Sequence, residues 1–174
     1  MPPIRYYGLG DNSPLFYYPI SAMITKEKIQ EVVEKVIDLQ SQFVVEISVS
    51  AKNKVLVSID SFKGITIDDC ISVSKSIEKT FDRNIEDYEL EVTSAGLTQP
   101  FKVVQQYHKN VGKNIEVLLK TGQKFEVKLI SVATNGIAIE KTIRKEGSKK
   151  KEFQKEEQFI EFEDIKSTKL IIEF

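Results

Sequence analysis

The chain has 174 residues, with 25 Lys+Arg against 26 Asp+Glu, one histidine (His108) and one cysteine (Cys70). Apolar residues at 41% and charged residues at 29% describe a folding chain rather than a disordered one. Single copies of Cys and His exclude an internal disulfide and any multi-cysteine or multi-histidine metal site, and no run reaches the ~20 apolar residues of a membrane helix. The opening residues also lack a basic-then-apolar leader pattern, so the expected setting is the reducing cytoplasm.

Residues 1–22 hold four of the five prolines and four of the six tyrosines, and show no helical or strand period. They read as a flexible N-terminal extension, or as sequence upstream of a natural start at Met23. Residues 25–40 read as a helix, with Thr25 as N-cap and a stripe of Ile29, Val32, Val33, Val36 and Ile37. Alternation at Phe43–Val49 and Val55–Ile59 predicts two strands joined at Lys52-Asn53. A second helix starts at Thr66, with Asp69 completing a capping box and Ile67, Cys70, Ile71, Ser74, Ile77 and Phe81 as its stripe. Tyr88, Leu90 and Val92 mark a third strand. Residues 23–97 are therefore expected to form an α-β-β-α-β domain with two helices on a three-stranded sheet.

Gly96 and Pro100 break the pattern, and residues 98–174 read almost wholly as strands. Alternation at 115–119 and 125–129 is followed by a one-residue slip to Ile130 and Val132, the mark of a bulge. Asn135-Gly136 signals a hairpin. A charged hairpin tip follows, then strand residues Ile160 and Phe162, a tight turn at Glu163–Ile165, and a last strand through Leu170, Ile172 and Phe174. About five short strands predict a small SH3-like or Sm-like β-barrel, making the whole chain α+β.

Charge divides the same way. Residues 23–97 sum to −5 and residues 98–174 to +4. The strongest basic feature is Arg144, Lys145, Lys149, Lys150, Lys151 and Lys155, diluted by Glu146, Glu152, Glu156 and Glu157. Phe153 is the one aromatic within that segment and no run of aromatics alternates with the lysines, so an RNA contact by it would engage phosphates rather than stack bases. A solvated hairpin tip explains the same residues. Asp60, Asp68 and Asp69 invite a hydrolase or metal reading, yet Asp68 and Asp69 fall in a first helical turn, where carboxylates serve the helix dipole. Cys70 sits on an apolar stripe and reads as a buried structural thiol.

Three blocks in one order carry a family resemblance: SFKGITIDDCISVSKSIEKTFD (61–82), YELEVTSAGLTQPF (88–101) and HKNVGKNIEV (108–117). Together they resemble RimP, the bacterial ribosome maturation factor family, over about residues 23–174. The shared positions are Asp60, Gly64, Thr66, Asp68, Asp69, Cys70, Glu91, Ser94, Gly96, Pro100 and Gly112. Ala95, Thr98 and Gln99 depart from the family pattern, which has proline, aspartate and arginine there. The resemblance implies a non-catalytic, cytoplasmic, monomeric factor without cofactor or small-molecule substrate. It would bind the immature small ribosomal subunit through rRNA and a basic ribosomal protein. A general RNA-binding module of the Sm-like type is the alternative.

Overall fold

The computed structural model describes residues 24–144 and 153–172. Its first helix, α1 (Lys26–Glu34), begins where Thr25 Oγ1 accepts from the Lys28 backbone N–H. Ile29 and Val33 are fully buried. The helix stops well short of residue 40. The Asp38 carboxylate accepts from the Gln40 N–H and the Ser41 hydroxyl, folding the chain into a turn. Local side-chain acceptors of this kind compete with helical backbone bonding. Ile37 stays buried while Val36 and Leu39 turn outward.

Strands β1 (Gln42–Val49) and β2 (Lys54–Ser61) pair antiparallel, with Asn53 at φ 53° in the turn between them. Helix α2 (Ile67–Thr80) then crosses over to β3 (Glu89–Ser94), which lies parallel to β2. The sheet order is β1-β2-β3. Val55, Val57 and Ile59 pack under both helices with Ile29, Val33, Val73, Ile77 and Phe81. Burying each such side chain is worth about 1.5–3 kcal/mol, which is what holds this layer together.

The capping box at the start of α2 forms as expected: Thr66 Oγ1 accepts from the Asp69 N–H, and Asp69 accepts from the Thr66 N–H. The helix is nonetheless rotated from the predicted stripe. Val73, Ile77 and Phe81 are buried and Cys70 is half-buried, while Ile67 and Ile71 face outward. Asp69 also accepts from Gln42 Nε2 of β1, and this tie turns the Asp69–Cys70–Val73 side toward the sheet.

The second half holds a helix that alternation alone did not predict, α3 (Val104–Lys109). It is followed by β4 (Asn114–Leu119), β5 (Lys124–Val132), β6 (Gly136–Arg144), β7 (Phe153–Glu161), a 3-10 turn at Phe162–Asp164, and β8 (Ile165–Leu170). The last strand thus ends where the sequence suggested it would continue, and β7 is far longer than the apolar pattern around Ile160 implied. The register slip expected in the fifth strand lies between Leu129 and Ser131. Gly136 in β6 runs so close to β7 that a Cβ there would lie 2.3 Å from the Ile160 carbonyl oxygen.

The expected closed barrel is absent. The five strands lie in the order β7-β6-β5-β4-β8, and the two outer strands are not paired with one another. The 3-10 turn carries the chain from one edge to the other. The apolar face is covered instead by α3 and its flanks: Tyr107 meets Phe101 at 5.0 Å and Phe162 at 5.3 Å between ring centroids, over Ile115, Val117, Leu129 and Ile139. With that face already filled, the sheet stays open.

Candidate functional site

Where the two sheets meet, β2 ends in a charge. Along β2, Val55, Val57 and Ile59 face the helices, so Ser58 and Asp60 fall on the other face; both are buried all the same. Lys109, the last residue of α3, explains this for Asp60. Its Nζ donates to Asp60 Oδ1 at 2.7 Å, and the same oxygen accepts from the Ser61 N–H. The pair's side chains are only 17% and 11% exposed. A second bridge, Lys102 to Glu46, joins the same two parts of the chain. The Ala95 N–H donates to the Ile59 carbonyl and the Phe101 N–H to the Thr168 carbonyl, so the connecting segment is bonded at both ends.

Helix α3 is short, and its own polar side chains hold it. Gln106 Oε1 accepts from the Lys102 and Val103 N–H groups, and Asn110 Nδ2 donates to the Gln106 carbonyl. The Tyr107 hydroxyl donates to Thr168 Oγ1 at 3.0 Å, and burial raises its pKa above the ordinary tyrosine range. These contacts set where Lys109 can reach.

The outward face of the five-stranded sheet carries a shallow groove of about 570 Å3, lined by Lys124, Glu126, Lys128, Glu140, Lys141 and Lys155 among others. Lys124 bonds Glu116 at 2.8 Å, which raises its pKa, and Lys155 bonds Glu140 at 2.8 Å. Lys141 lies 4.4 Å from the centre of the Phe125 ring. Lys128 has no acidic partner among the described residues. Arg144 ends β6, and Lys145, Lys149, Lys150 and Lys151 lie outside the described residues.

The three carboxylates of the hydrolase reading are not brought together. Asp60 belongs to the Lys109 pair, Asp69 to the capping box, and Asp68 stands exposed in the first turn of α2. Among the described residues no group of three His, Cys, Asp or Glu side chains could hold a metal. The Cys70 thiol is pushed up in pKa by burial and by the neighbouring Asp69, the opposite of an activated nucleophile. His108 is exposed on α3. Of the other motif positions, Gly64 and Gly112 take positive φ in turns, Glu91 faces Lys54 at 3.6 Å, Ser94 ends β3, and Gly96 and Pro100 lie in the connecting segment.

Sequence reasoning missed Lys109 and Lys102. A polar residue on alternate strand positions normally faces water, and nothing local to Asp60 names a partner 49 residues away. The one local signal was an aspartate near the end of a strand whose alternate positions are Val55, Val57 and Ile59.

A family model described as the RimP N-terminal domain matches residues 29–98. The chain is 40% identical to the ribosome maturation factor RimP of Porphyromonas gingivalis strain W83 over 152 residues, covering 86% of this chain and 100% of that one. It is 35% identical to the RimP of Christiangramia forsetii, covering 86% and 99%, and 34% identical to that of Flavobacterium psychrophilum, covering 68% and 77%. The chain belongs to the RimP family. Asp60 and the Thr66–Asp69 box fall inside the span matched by the family model, whereas α3 and the lysine-lined groove lie beyond it. No helix among the described residues is long and apolar enough to cross a membrane.

Proposed function

We propose that this chain is a non-catalytic assembly factor that binds the immature small ribosomal subunit through rRNA and a basic ribosomal protein. The observation that carries the reading is the match, across the full length of a relative, to a protein named a ribosome maturation factor. The charge division supports a two-sided contact: the −5 of residues 23–97 suits a basic protein, and the +4 of residues 98–174 suits phosphates. Within the second half, Lys128 and the basic residues of the 144–155 segment are the first candidates for rRNA. Lys124 and Lys155 would have to exchange a carboxylate for a phosphate, which lowers their net contribution.

Cells lacking the protein should accumulate free small subunits with unprocessed rRNA on a sucrose gradient, and purified protein should cosediment with those particles but not with mature ones. Equal cosedimentation with both particles would sink the assembly-factor reading and leave plain RNA binding. For the absence of chemistry, Cys70→Ala should retain subunit binding and lose only about 1 kcal/mol of packing, since the thiol is half-buried. A normally folded Cys70→Ala protein with no function would make the thiol a chemical group after all.

A further inference from the structure

A groove of about 270 Å3 lies where α1 passes the end of α2 and the turn that follows it. Its apolar lining is Ile24, Val32, Phe81 and Ile85. Ile24 and Phe81 are buried, while Ile85 stands 53% exposed. The turn that carries Ile85 is well bonded. The Ile85 and Glu86 N–H groups donate to the Asp82 carbonyl, and the Asn84 N–H donates to Asp82 Oδ1. Arg83 pairs with Glu78 and lies 4.8 Å from the centre of the Tyr88 ring, which anchors the same turn. A lone exposed apolar residue needs no partner, but this one forms one side of a groove whose floor is also apolar. The volume is below the ~300–1,000 Å3 of small-molecule sites and suits one or two side chains.

The groove opens at the chain's own entry. Glu86 Oε2 accepts from the Ile24 N–H at 2.9 Å, so the residues before Ile24 join the described structure at the groove's edge. Along α1 the lining runs from Lys28 to Lys35, about 10 Å at 1.5 Å per residue. About three extended residues cover that distance. Residues 15–18 read Leu-Phe-Tyr-Tyr, and residues 19–23 supply up to about 17 Å of chain to turn back onto α1. Pro14 and Pro19 bracket the block. Each biases the residue before it toward extended backbone, so less freedom is lost on docking. Charge points the same way. Lys28 and Lys35 stand with Glu31, Asp82 and Glu86 around the groove, a mixed wall with no dominant sign. Residues 12–22 carry no charge. An RNA strand would meet the carboxylates, and a basic segment would meet the lysines. Tyrosine suits such a rim, with an apolar ring for the floor and a hydroxyl for a carboxylate.

We infer that residues 15–18 of this chain turn back into the groove and seat an aromatic ring against Val32, Phe81 and Ile85. The stretch shows no helical or strand period because a single inserted ring needs none. Docked there, the segment ties the entry of α1 to the turn before β3. The inference stands independently of the subunit-binding reading.

The test is a double-mutant cycle on the full chain, with Phe16→Ser/Tyr17→Ser/Tyr18→Ser in the segment and Ile85→Ser in the groove. Each should lower Tm by a few degrees. The combination should lower it no further than the larger of the two, because both remove one contact. Amide shifts caused by the segment variant should fall at Val32 and at residues 80–86. A synthetic peptide of residues 12–22, added to the segment variant, should reverse those shifts. That titration leaves the described core untouched, so it decides the matter even if Ile85→Ser unfolds. Additive losses of Tm would overturn the inference, as would a peptide that moves no amide of the groove. A wild-type dimer in light scattering that Ile85→Ser abolishes and the segment variant keeps would place a second copy in the groove instead. Cosedimentation with immature subunits that is lost in Ile85→Ser and kept in the segment variant would give the groove to a subunit component.

Discussion

Asp60 and Lys109 show how a single pair can do positional work without adding much stability. Bringing both charges out of water costs free energy that their attraction at 2.7 Å only roughly offsets. Removing one partner is different, because the other is left half-desolvated. Asp60→Asn or Lys109→Met should each lower stability by about 1–3 kcal/mol, read as a shift in urea midpoint. Asp60→Leu with Lys109→Met should recover most of that loss; if the double variant is as weak as the sum of the singles, the two residues are not coupled. The Thr66 cap is a local matter, and Thr66→Ala should cost about 1 kcal/mol. Asp38 and Asp69 both titrate below their unfolded values because of hydrogen bonds from Ser41 and Thr66. A depressed native pKa gives stability that is complete above the unfolded value near pH 4 and drains as pH falls through the native value. Acid unfolding of Asp69→Ala should therefore lack part of the wild-type slope below about pH 4, measured by circular dichroism. The capping box was legible because Thr66 and Asp69 are three residues apart. The Asp60 pair was not, because strand alternation says which face a residue is on and nothing about what covers that face.

Among the elements, the β6–β7 hairpin carries the clearest functional expectation. Reversing the charge of Lys149, Lys150 and Lys151 together should weaken subunit binding and flatten its salt dependence. Each neutralised duplex phosphate adds about 0.9 to the slope of log affinity against log salt, so a few contacts give a slope of about 2–4. Adding Lys128→Glu should flatten it further, since that lysine has no carboxylate partner among the described residues to release. If the triple reversal leaves both affinity and slope unchanged, these lysines do not meet rRNA, which must be bound elsewhere. The bulge before this hairpin was readable, because a one-residue slip shifts every later apolar residue to the other face. Closure of the sheet was not. It depends on whether the outermost strands meet, and here α3, packed through Tyr107, Phe101 and Phe162, covers the apolar face first. That helix was hidden because its stretch, VQQYHK, buries only Gln106 and Tyr107 and so has too short a stripe to register as a period.

For the whole molecule, the two cores share no residue: one runs from Ile24 to Val92 and the other from Phe101 to Ile165. We take residues 23–97 and 98–174 as separate folding units on that basis. Each fragment alone should give a dispersed amide spectrum, with shifts around Asp60 in the first and around Lys109 in the second, since each loses its ion-pair partner. Two disordered fragments would show that the junction is needed for either half to fold. The open sheet has a further consequence, for solubility rather than binding. Its outermost strands present unpaired N–H and carbonyl groups that any other extended chain could use. β7 answers this with its composition, since Lys155, Glu156, Glu157 and Glu161 line a nine-residue edge that would otherwise invite strand addition. Charges on an edge strand oppose its pairing with the edge of a second copy. Replacing Glu156 and Glu157 by Val would turn a tolerated edge into a seed for aggregation.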